Sequence, residues 1–181
     1  MKIYFCICIF LLLPIISFGQ QRNIQYDRTT ADSIWTEGMT VPNIRFKDIN
    51  NRNYELHDLL DKVTLIDFWF TSCKPCIKNK RYLQQFYRQY DINLVSVSVD
   101  QRASIIKKYV EANDIPWINV HDNSPFMERF KRQISGNNSY PDYLLITPDK
   151  KIFKYYSSGG DIAKLGITLQ AYFERGKAVE D

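Results

Sequence analysis

The sequence predicts an α/β fold in which a central mixed β-sheet is flanked by helices and preceded by a β-hairpin. Short apolar runs alternate with amphipathic stretches of helical period, and this order implies parallel strands joined by right-handed crossovers. Near the C-terminus, two apolar runs are separated only by a Pro-Asp-Lys turn, which predicts an antiparallel pair and makes the sheet mixed. The chain of 181 residues, 45% of them hydrophobic, suits one such domain.

The N-terminal nineteen residues, MKIYFCICIFLLLPIISFG, differ from the rest of the chain. Lys2 is their only charge, a nearly unbroken apolar run follows it, and small residues end the segment, which predicts a secretory signal peptide over 1–19. The run contains Pro14 and is shorter than the roughly 20 residues of a membrane-spanning helix, so we expect no stable membrane insertion after cleavage. A retained anchor is the alternative. We expect 20–37 to be an extended lead-in and 38–175 to be the folded domain.

Local patterns predict the first elements after the lead-in. Two short alternations, at 44–46 and 54–56, flank an asparagine-rich turn and predict the hairpin. Residues 63–69 are almost entirely apolar, as in a central strand buried on both faces, so Asp67 within them needs an explanation. Proline is favoured in the first turn of a helix, so Pro75 predicts that a helix begins just before it.

The remaining elements repeat these strand and helix patterns. Apolar residues at helical spacing extend the helix at Pro75 as far as Tyr90. The elements predicted after it are a strand over 92–100, a helix over 104–113, a strand around 118–120, a helix around 126–133, a hairpin over 142–158 and a closing helix over 161–173. No internal repeat or interdomain linker interrupts the pattern, which predicts a single domain.

The cysteines carry the chemistry. Cys6 and Cys8 lie in the predicted signal peptide, which leaves Cys73 and Cys76 as the cysteines of the mature chain. At the N-terminal end of a helix, Cys73 would face unpaired N–H groups and the positive end of the helix dipole, which favour a thiolate. Lys74 adds a positive charge beside it. Cys76, one turn further on, can close a reducible disulfide, so the pair predicts thiol–disulfide exchange without any other cofactor.

Asp67 is a candidate proton acceptor for this exchange. It lies six residues before Cys73, on the strand that leads into the helix, where its side chain could point beneath the cysteines. There it could take the proton of the second thiol, which must become a nucleophile toward a mixed disulfide. The alternative is a structural role, in which Asp67 reaches a sheet edge or pairs with a lysine such as Lys62.

The segment DFWFTSCKPC, together with LVSVSVD and YPDYLLITPDKKIF, resembles the exported thioredoxin-like reductases of the TlpA and ResA type. The resemblance extends from Gly38 to about Phe173 and implies a thioredoxin fold with an N-terminal hairpin extension. It also implies that Cys73 attacks the substrate disulfide, that Cys76 resolves the mixed disulfide, and that Pro141 forms a cis peptide bond beside them. The residues expected to contact substrate are Tyr140, Pro141, Ser72, Lys74, Pro75 and Trp69.

Three positions depart from the pattern of this family. Many ResA-like proteins have a glutamate three residues after the second cysteine, whereas this chain has Asn79, so the acid is expected on the strand at Asp67. Arg81 replaces a frequent proline, so no proline kink is expected in the helix. Ser72 replaces a frequent tryptophan before the first cysteine, so the face presented to a partner should be smaller and more polar.

The resemblance implies an enzyme, exported to the periplasm, that reduces disulfides of envelope proteins. Apocytochrome c is one candidate client, and a membrane thiol protein is the expected electron donor. We expect a monomer. A nucleic-acid partner is not expected, because loss of the signal segment lowers the 24 basic residues to 23 against 20 acidic ones, a formal charge of +3, and the two signs interleave along the chain.

Four other functions are compatible with a C-x-x-C motif. A zinc site would need a second half, but His57 and His121 stand alone, so no metal is expected. A purely structural disulfide that encloses so few residues would stabilise little. A peroxide reductase on the same fold usually has threonine three residues before the cysteine, where this chain has Phe70. The intact motif argues against a redox-inactive module that only binds unfolded or haem-bearing clients.

Overall fold

The computed structural model describes residues 35–122, 125–136, 139–157 and 161–177. Within these ranges the strands and helices follow the predicted order. The strands are β1 (Arg45–Lys47), β2 (Asn53–Glu55), β3 (Val63–Trp69), β4 (Ile92–Ser98), β5 (Ile118–His121), β6 (Asp142–Ile146) and β7 (Ile152–Tyr156). The α-helices are α1 (Lys74–Gln89), α2 (Ala103–Ala112), α3 (Pro125–Ser135) and α4 (Ile162–Lys177), and a short 3-10 helix (Leu56–Leu59) follows β2.

Five strands form one mixed sheet in the order β5-β4-β3-β6-β7. Strand β3 is central, parallel to β4 and antiparallel to β6. Strand β5 continues the parallel half beside β4, and β7 continues the antiparallel half beside β6. The predicted mixed sheet, with parallel β-α-β units followed by an antiparallel hairpin, is therefore confirmed. The central position of β3 explains why all seven of its residues are buried.

The predicted N-terminal hairpin is present as a separate two-stranded sheet of β1 and β2. Its turn is organised by the Asp48 carboxylate, which accepts the backbone N–H groups of Asn50 and Arg52 at 2.8 and 2.9 Å. The next residue, Ile49, donates its N–H to the carbonyl oxygen of Asn119 in β5 at 2.8 Å. The hairpin thus lies against the outer edge of β5, where it covers backbone groups that would otherwise stay unpaired.

Helices cover both faces of the sheet, and alternate residues of β3 point to opposite faces. Leu65 packs on the face that α1 and α4 cover, whereas Ile66 and Phe68 pack on the face that α3 and the hairpin cover. Asp67 alternates with Ile66 and Phe68, so its side chain lies on the α1 face. The helix residues in these cores include Leu83, Leu165 and Leu169 on the first face, and Met127, Phe130 and Ile134 on the second.

Trp35 extends the core further toward the N-terminus than the sequence predicts. Its side chain is buried, and its ring lies edge-on to that of Phe130 with centroids 5.4 Å apart. Its backbone N–H donates to the carbonyl oxygen of Gln133 in α3 at 2.6 Å. The packed part of the chain therefore begins within the predicted lead-in of 20–37, and at the other end α4 continues to Lys177.

Within the described ranges, no helix is both long enough and apolar enough to cross a membrane. The predicted signal peptide, 1–19, and the lead-in as far as residue 34 lie outside the described residues. Export therefore stays a prediction.

Candidate active site

The two cysteines lie at the start of α1, immediately after the loop that leaves β3. Cys73 is the N-cap residue, and Pro75 occupies the first turn, where its missing N–H is not needed. Cys73 and Cys76 form a disulfide with Cα atoms 5.2 Å apart, and the N–H of Cys76 donates to Cys73 Sγ at 3.2 Å. After reduction, this N–H and the helix dipole would stabilise a thiolate at Cys73. The predicted position of the pair is confirmed.

The disulfide lies in a small apolar cluster of its own. Cys73 and Cys76 are 5% and 2% exposed, and they pack with the buried side chains of Trp69 and Ile106. Partly buried apolar side chains surround this cluster, namely Ile49, Phe70, Ile77 and Tyr140. The sulfur atoms are therefore surrounded by an apolar patch.

The loop before β6 lies against the same cluster. The Tyr140–Pro141 peptide bond is cis, as the resemblance implies. Pro141 is buried, whereas Tyr140 is half-buried and meets Phe70 edge-on, with ring centroids 5.2 Å apart. The loop is thus placed beside the residues that precede Cys73.

The predicted substrate residues differ in exposure, since Trp69 is buried as well as Pro141. Ser72, Lys74 and Pro75 are exposed. Trp69 is 0% exposed, and its ring packs on that of Tyr109 with centroids 5.1 Å apart. The Trp69 side chain thus points under α1 rather than toward solvent, and its contact with substrate stays a prediction.

Asp67 lies on the α1 face of β3, deeper in the fold than the cysteines, and is 1% exposed. Its carboxylate is 2.5 Å from Lys80 Nζ and accepts a hydrogen bond from Ser96 Oγ at 2.8 Å. Ser96 Oγ in turn accepts from Lys80 at 3.0 Å and from Trp117 Nε1 at 2.8 Å. Asp67 therefore pairs with a lysine, as the structural alternative expects, but with Lys80 rather than Lys62, which pairs with Asp91.

Lys80 is a residue of this site that sequence reasoning missed. It lies four residues after Cys76, hence about one turn along α1 on the same side of the helix. Burial lowers the pKa of its ammonium group, while the charge and hydrogen bond of the Asp67 carboxylate oppose this shift. Its Nζ is 3.9 Å from the ring centroid of Trp69, which packs in the same buried cluster as the two cysteines. The ion pair is therefore connected to the disulfide through this ring.

Asn79, at the position of the frequent ResA-like glutamate, is also buried on the inner side of α1. It donates to the hydroxyl of Tyr143 in β6 at 3.1 Å. Burial raises the pKa of Tyr143, and the nearby negative charge of Asp67 adds to this effect. Tyr143 therefore stays a neutral hydroxyl. The acidic group between α1 and the sheet is Asp67 on β3, as predicted.

A second missed residue, Asp100, fixes the loop before Cys73. Its carboxylate accepts the backbone N–H of Thr71 at 2.9 Å and the Thr71 hydroxyl at 2.7 Å. The hydroxyl of Ser98 also donates to it, at 2.7 Å. The signal in the sequence was the position of Asp100 just after β4, since parallel strands β3 and β4 end at the same edge of the sheet.

The two histidines bind backbone carbonyl groups. His57 Nε2 is 2.9 Å from the carbonyl oxygen of Val41, and His121 Nε2 is 2.7 Å from that of Asp100. Among the residues that the structure describes, no three His, Cys, Asp or Glu side chains are grouped as metal ligands would be.

Taken together, the central strand, the C-x-x-C at the start of α1 and the cis-proline before the β6–β7 hairpin define a thioredoxin fold. Solved structures share it. The thioredoxin domain of a thiol-disulfide oxidoreductase from Bacteroides vulgatus matches with a TM-score of 0.62 at 23% identity, over 75% of this chain and 99% of that one. A thiol:disulfide interchange protein from Bacteroides sp. matches with a TM-score of 0.59 at 25% identity, over 75% and 91%.

The chain belongs to the AhpC/TSA family, whose model matches residues 38–155. It is similar to the thiol-disulfide oxidoreductase ResA of Bacillus cereus, with 30% identity over 83 residues, 44% of this chain and 48% of that protein. It is also similar to ResA of Bacillus subtilis, with 26% identity over 125 residues, 66% of each. The match thus spans from about half to about two thirds of the length of these relatives.

Proposed function

We propose that this protein is an extracytoplasmic thiol–disulfide oxidoreductase that reduces disulfides of envelope proteins by two-cysteine exchange. The observation that carries the proposal is the Cys73–Cys76 disulfide at the N-terminus of α1, in contact with the Tyr140 loop and above a buried carboxylate. The similarity to proteins named thiol-disulfide oxidoreductase ResA supports it. Localisation rests on the predicted signal peptide, 1–19.

In the proposed reaction, the Cys73 thiolate attacks one sulfur of a client disulfide, and the other client sulfur leaves as a thiolate. The Cys76 thiolate then attacks Cys73 Sγ, which releases the second client sulfur. The client gains two electrons and, with protonation of its two thiolates, becomes a dithiol, while the Cys73–Cys76 disulfide forms again. A dithiol donor, which we place in the membrane, returns two electrons to the pair.

Asp67 and Lys80 serve the second step in this proposal. Cys76 is buried, so its thiolate is costly to form unless a nearby group accepts the proton. The Asp67 carboxylate is the buried acid on the same sheet face, and Lys80 links it to the helix turn that follows Cys76. We assign to this pair the acceptance of the Cys76 proton, which leaves Asp67 a catalytic base and Lys80 a positioning residue.

The client surface consists of the exposed residues around the disulfide and the loop beside it. Ser72, Lys74 and Pro75 present one side, and the backbone at Tyr140 and Pro141 presents the other. An extended client segment can lie between them with its cysteine over Cys73. Apocytochrome c is one candidate client of this kind, and a monomer is sufficient for the reaction.

The test is catalysed reduction of insulin disulfides by the purified protein with dithiothreitol as electron source. We expect the rate to fall to background with Cys73→Ser. Cys76→Ser, reduced beforehand and mixed with insulin after removal of dithiothreitol, should instead accumulate a covalent mixed disulfide with insulin, visible by non-reducing electrophoresis, because the resolving thiol is gone. Full activity of Cys73→Ser, or consumption of hydrogen peroxide in preference to insulin, would contradict the proposal and favour the binding-module or peroxide-reductase alternatives.

A further inference from the structure

Charge is unevenly distributed along this chain. Residues 71–110, which run from the active-site loop through most of α2, contain eight lysines and arginines but only two aspartates, a formal charge of +6. The rest of the chain contains the other sixteen basic and eighteen acidic residues, a charge of −2, out of totals of 24 and 20. The positive charge of the protein is therefore concentrated in the segment that contains the cysteines.

Six of these basic residues are exposed near the disulfide, and we call them the basic rim. Three lie on the first turns of α1. Of the other three, one is the N-cap residue of α2 and two lie in the middle of that helix, next to Ile106, which packs in the same cluster as the cysteines. None of the six forms an ion pair with a carboxylate in the part of the chain that the structure describes. The basic rim consists of Lys74, Lys78, Arg81, Arg102, Lys107 and Lys108.

Few acids lie around the basic rim. Glu111 is exposed one turn along α2 from Lys107, but the two form no ion pair within the described residues. Asp91 lies at the far end of α1 and pairs with Lys62 at 2.5 Å. Asp100 is half-buried and accepts hydrogen bonds from Thr71 and Ser98, and Asp122 is also half-buried. Like charges left together on a surface repel one another, and an oppositely charged partner relieves this repulsion while it is drawn in from solution.

We propose that the basic rim selects protein partners whose reactive disulfide is flanked by acidic residues. The inference rests on the proposed function, because selection is expressed only when the cysteines exchange. The geometry favours a protein segment over an anionic membrane, since the rim borders the apolar patch around the sulfur atoms. A membrane bound to this face would cover Cys73, whereas a protein segment brings its own sulfur there.

The experiment compares three cyclic disulfide peptides of equal length, in which the cysteines are flanked by glutamate, glutamine or lysine. Each oxidises the reduced protein under pseudo-first-order conditions, with transfer of two electrons from the cysteine pair to the peptide. At about 0.1 M salt we expect the glutamate peptide to react about tenfold faster than the lysine peptide. The difference should vanish at about 1 M salt, where the screening length falls from about 10 Å to about 3 Å.

Charge reversal on one helix provides the matched control. Lys78→Glu and Arg81→Glu should each reduce the preference for the glutamate peptide at least threefold. Arg88→Glu makes the same charge change on an exposed residue of α1, but fifteen residues beyond Cys73, or about 22 Å along the helix. This distance exceeds the screening length at about 0.1 M salt, so its effect should stay within about 1.5-fold. Oxidised dithiothreitol, which is uncharged, should react equally with all variants.

Equal rates for the three peptides, or an equal effect of Arg88→Glu and Lys78→Glu, would contradict partner selection by the basic rim. The proposed function would not be affected by either result. A second outcome would point to a membrane instead of a protein partner. In that case the three peptides react at equal rates, the protein binds phosphatidylglycerol vesicles, and Lys78→Glu abolishes this binding. Failure of the wild-type protein to exchange with any peptide or with dithiothreitol would overturn both the rim and the proposed function.

Discussion

Two buried lysine–aspartate pairs lie on opposite faces of the same sheet. Lys80 and Asp67 join α1 to β3, with side chains 6% and 1% exposed and a distance of 2.5 Å. Lys131 and Asp142 join α3 to β6, with side chains 2% and 0% exposed and a distance of 2.7 Å. Each ammonium group also lies over an aromatic ring, of Trp69 in the first pair and Tyr140 in the second.

The difference between the pairs lies in their neighbours. The Trp69 ring above Lys80 is a buried member of the cluster that contains the two cysteines, whose protonation changes in every proposed cycle, whereas Tyr140, above Lys131, only borders that cluster. The second pair instead anchors the residue after the cis-proline, and Asp142 also accepts a hydrogen bond from Ser139 at 3.0 Å. The comparison teaches that burial and geometry alone do not define the role of an ion pair. The groups that contact it decide whether it serves proton transfer or only holds a loop.

The largest expected effect is on the free energy of unfolding. Loss of the aspartate should lower it in both pairs. Asp142→Asn removes one partner of a buried pair and leaves the other charge uncompensated, so we expect the free energy of unfolding to fall by about 3–5 kcal/mol. Asp67→Asn should act at the lower end of this range, because burial already lowers the pKa of Lys80 and eases its loss of a proton. Denaturant unfolding at neutral pH measures both.

The double substitution Lys131→Met/Asp142→Leu is the control for this prediction. It replaces both charges by apolar groups and should recover most of the lost stability. A loss below about 1 kcal/mol in the single variants would show that the pairs are not desolvated as the structure has them.

The second prediction separates the pairs by their chemistry. Asp67→Asn should slow resolution of the mixed disulfide about 100-fold, the lower end of the effect of general acid–base catalysis. Asp142→Asn, with an equal or larger loss of stability, should leave that step within about threefold. To measure resolution of the mixed disulfide, the reduced protein is mixed with a model disulfide, and samples are quenched with acid at successive times. If the rate of Asp67→Asn matches that of the wild type between about pH 6 and 8, Asp67 has no part in proton transfer.

The smallest expected effect concerns an aspartate whose partner is exposed. Asp48 is buried in the hairpin turn, whereas its partner Arg52 has 67% of its side chain exposed. Burial alone would raise the pKa of the Asp48 carboxyl, but hydrogen bonds from Arg52 and Asn50 outweigh it and hold the pKa below the usual 3.8. A carboxyl of lowered pKa contributes stability above its unfolded pKa and loses it as the pH falls through the folded value.

Asp48→Asn should therefore lower the free energy of unfolding by about 1 kcal/mol at neutral pH, since a charged acceptor is replaced by a neutral one. The gap between Asp48→Asn and the wild type should close below about pH 4, as the wild-type carboxyl itself becomes neutral. Urea titrations at about pH 7 and pH 3 give both values. A gap that widens in acid would contradict the assigned direction of the shift.

Elements defined by local patterns were predictable from the sequence. Strand β3 has the predicted bounds, and α1 begins where Pro75 indicates, because burial on both faces and the first turn of a helix leave clear signals in a short window. The hairpin turn near Asp48 follows from its asparagines in the same way. The cis peptide bond at Pro141 came from the resemblance, since a proline alone does not reveal its isomer.

Features that depend on distant pairs were missed. Lys80 looks like a solvent-facing residue of a basic helix, and only a carboxylate thirteen residues away, on β3, makes its burial tolerable. Trp69 was expected to contact substrate, but its side chain lies on the α1 face of β3 and is buried. The basic rim was missed because the charge was averaged over the whole chain, which hides the excess in 71–110.

The most direct test of the account is the redox equilibrium of the Cys73–Cys76 pair against glutathione and dithiothreitol buffers. Fluorescence of Trp69, which packs on both cysteines, follows the transition, and Trp69→Phe is the control for the signal. The account predicts a single two-electron transition with a potential close to that of thioredoxin, about −270 mV. A potential near that of the oxidant DsbA, about −120 mV, or a pair that never cycles, would contradict it.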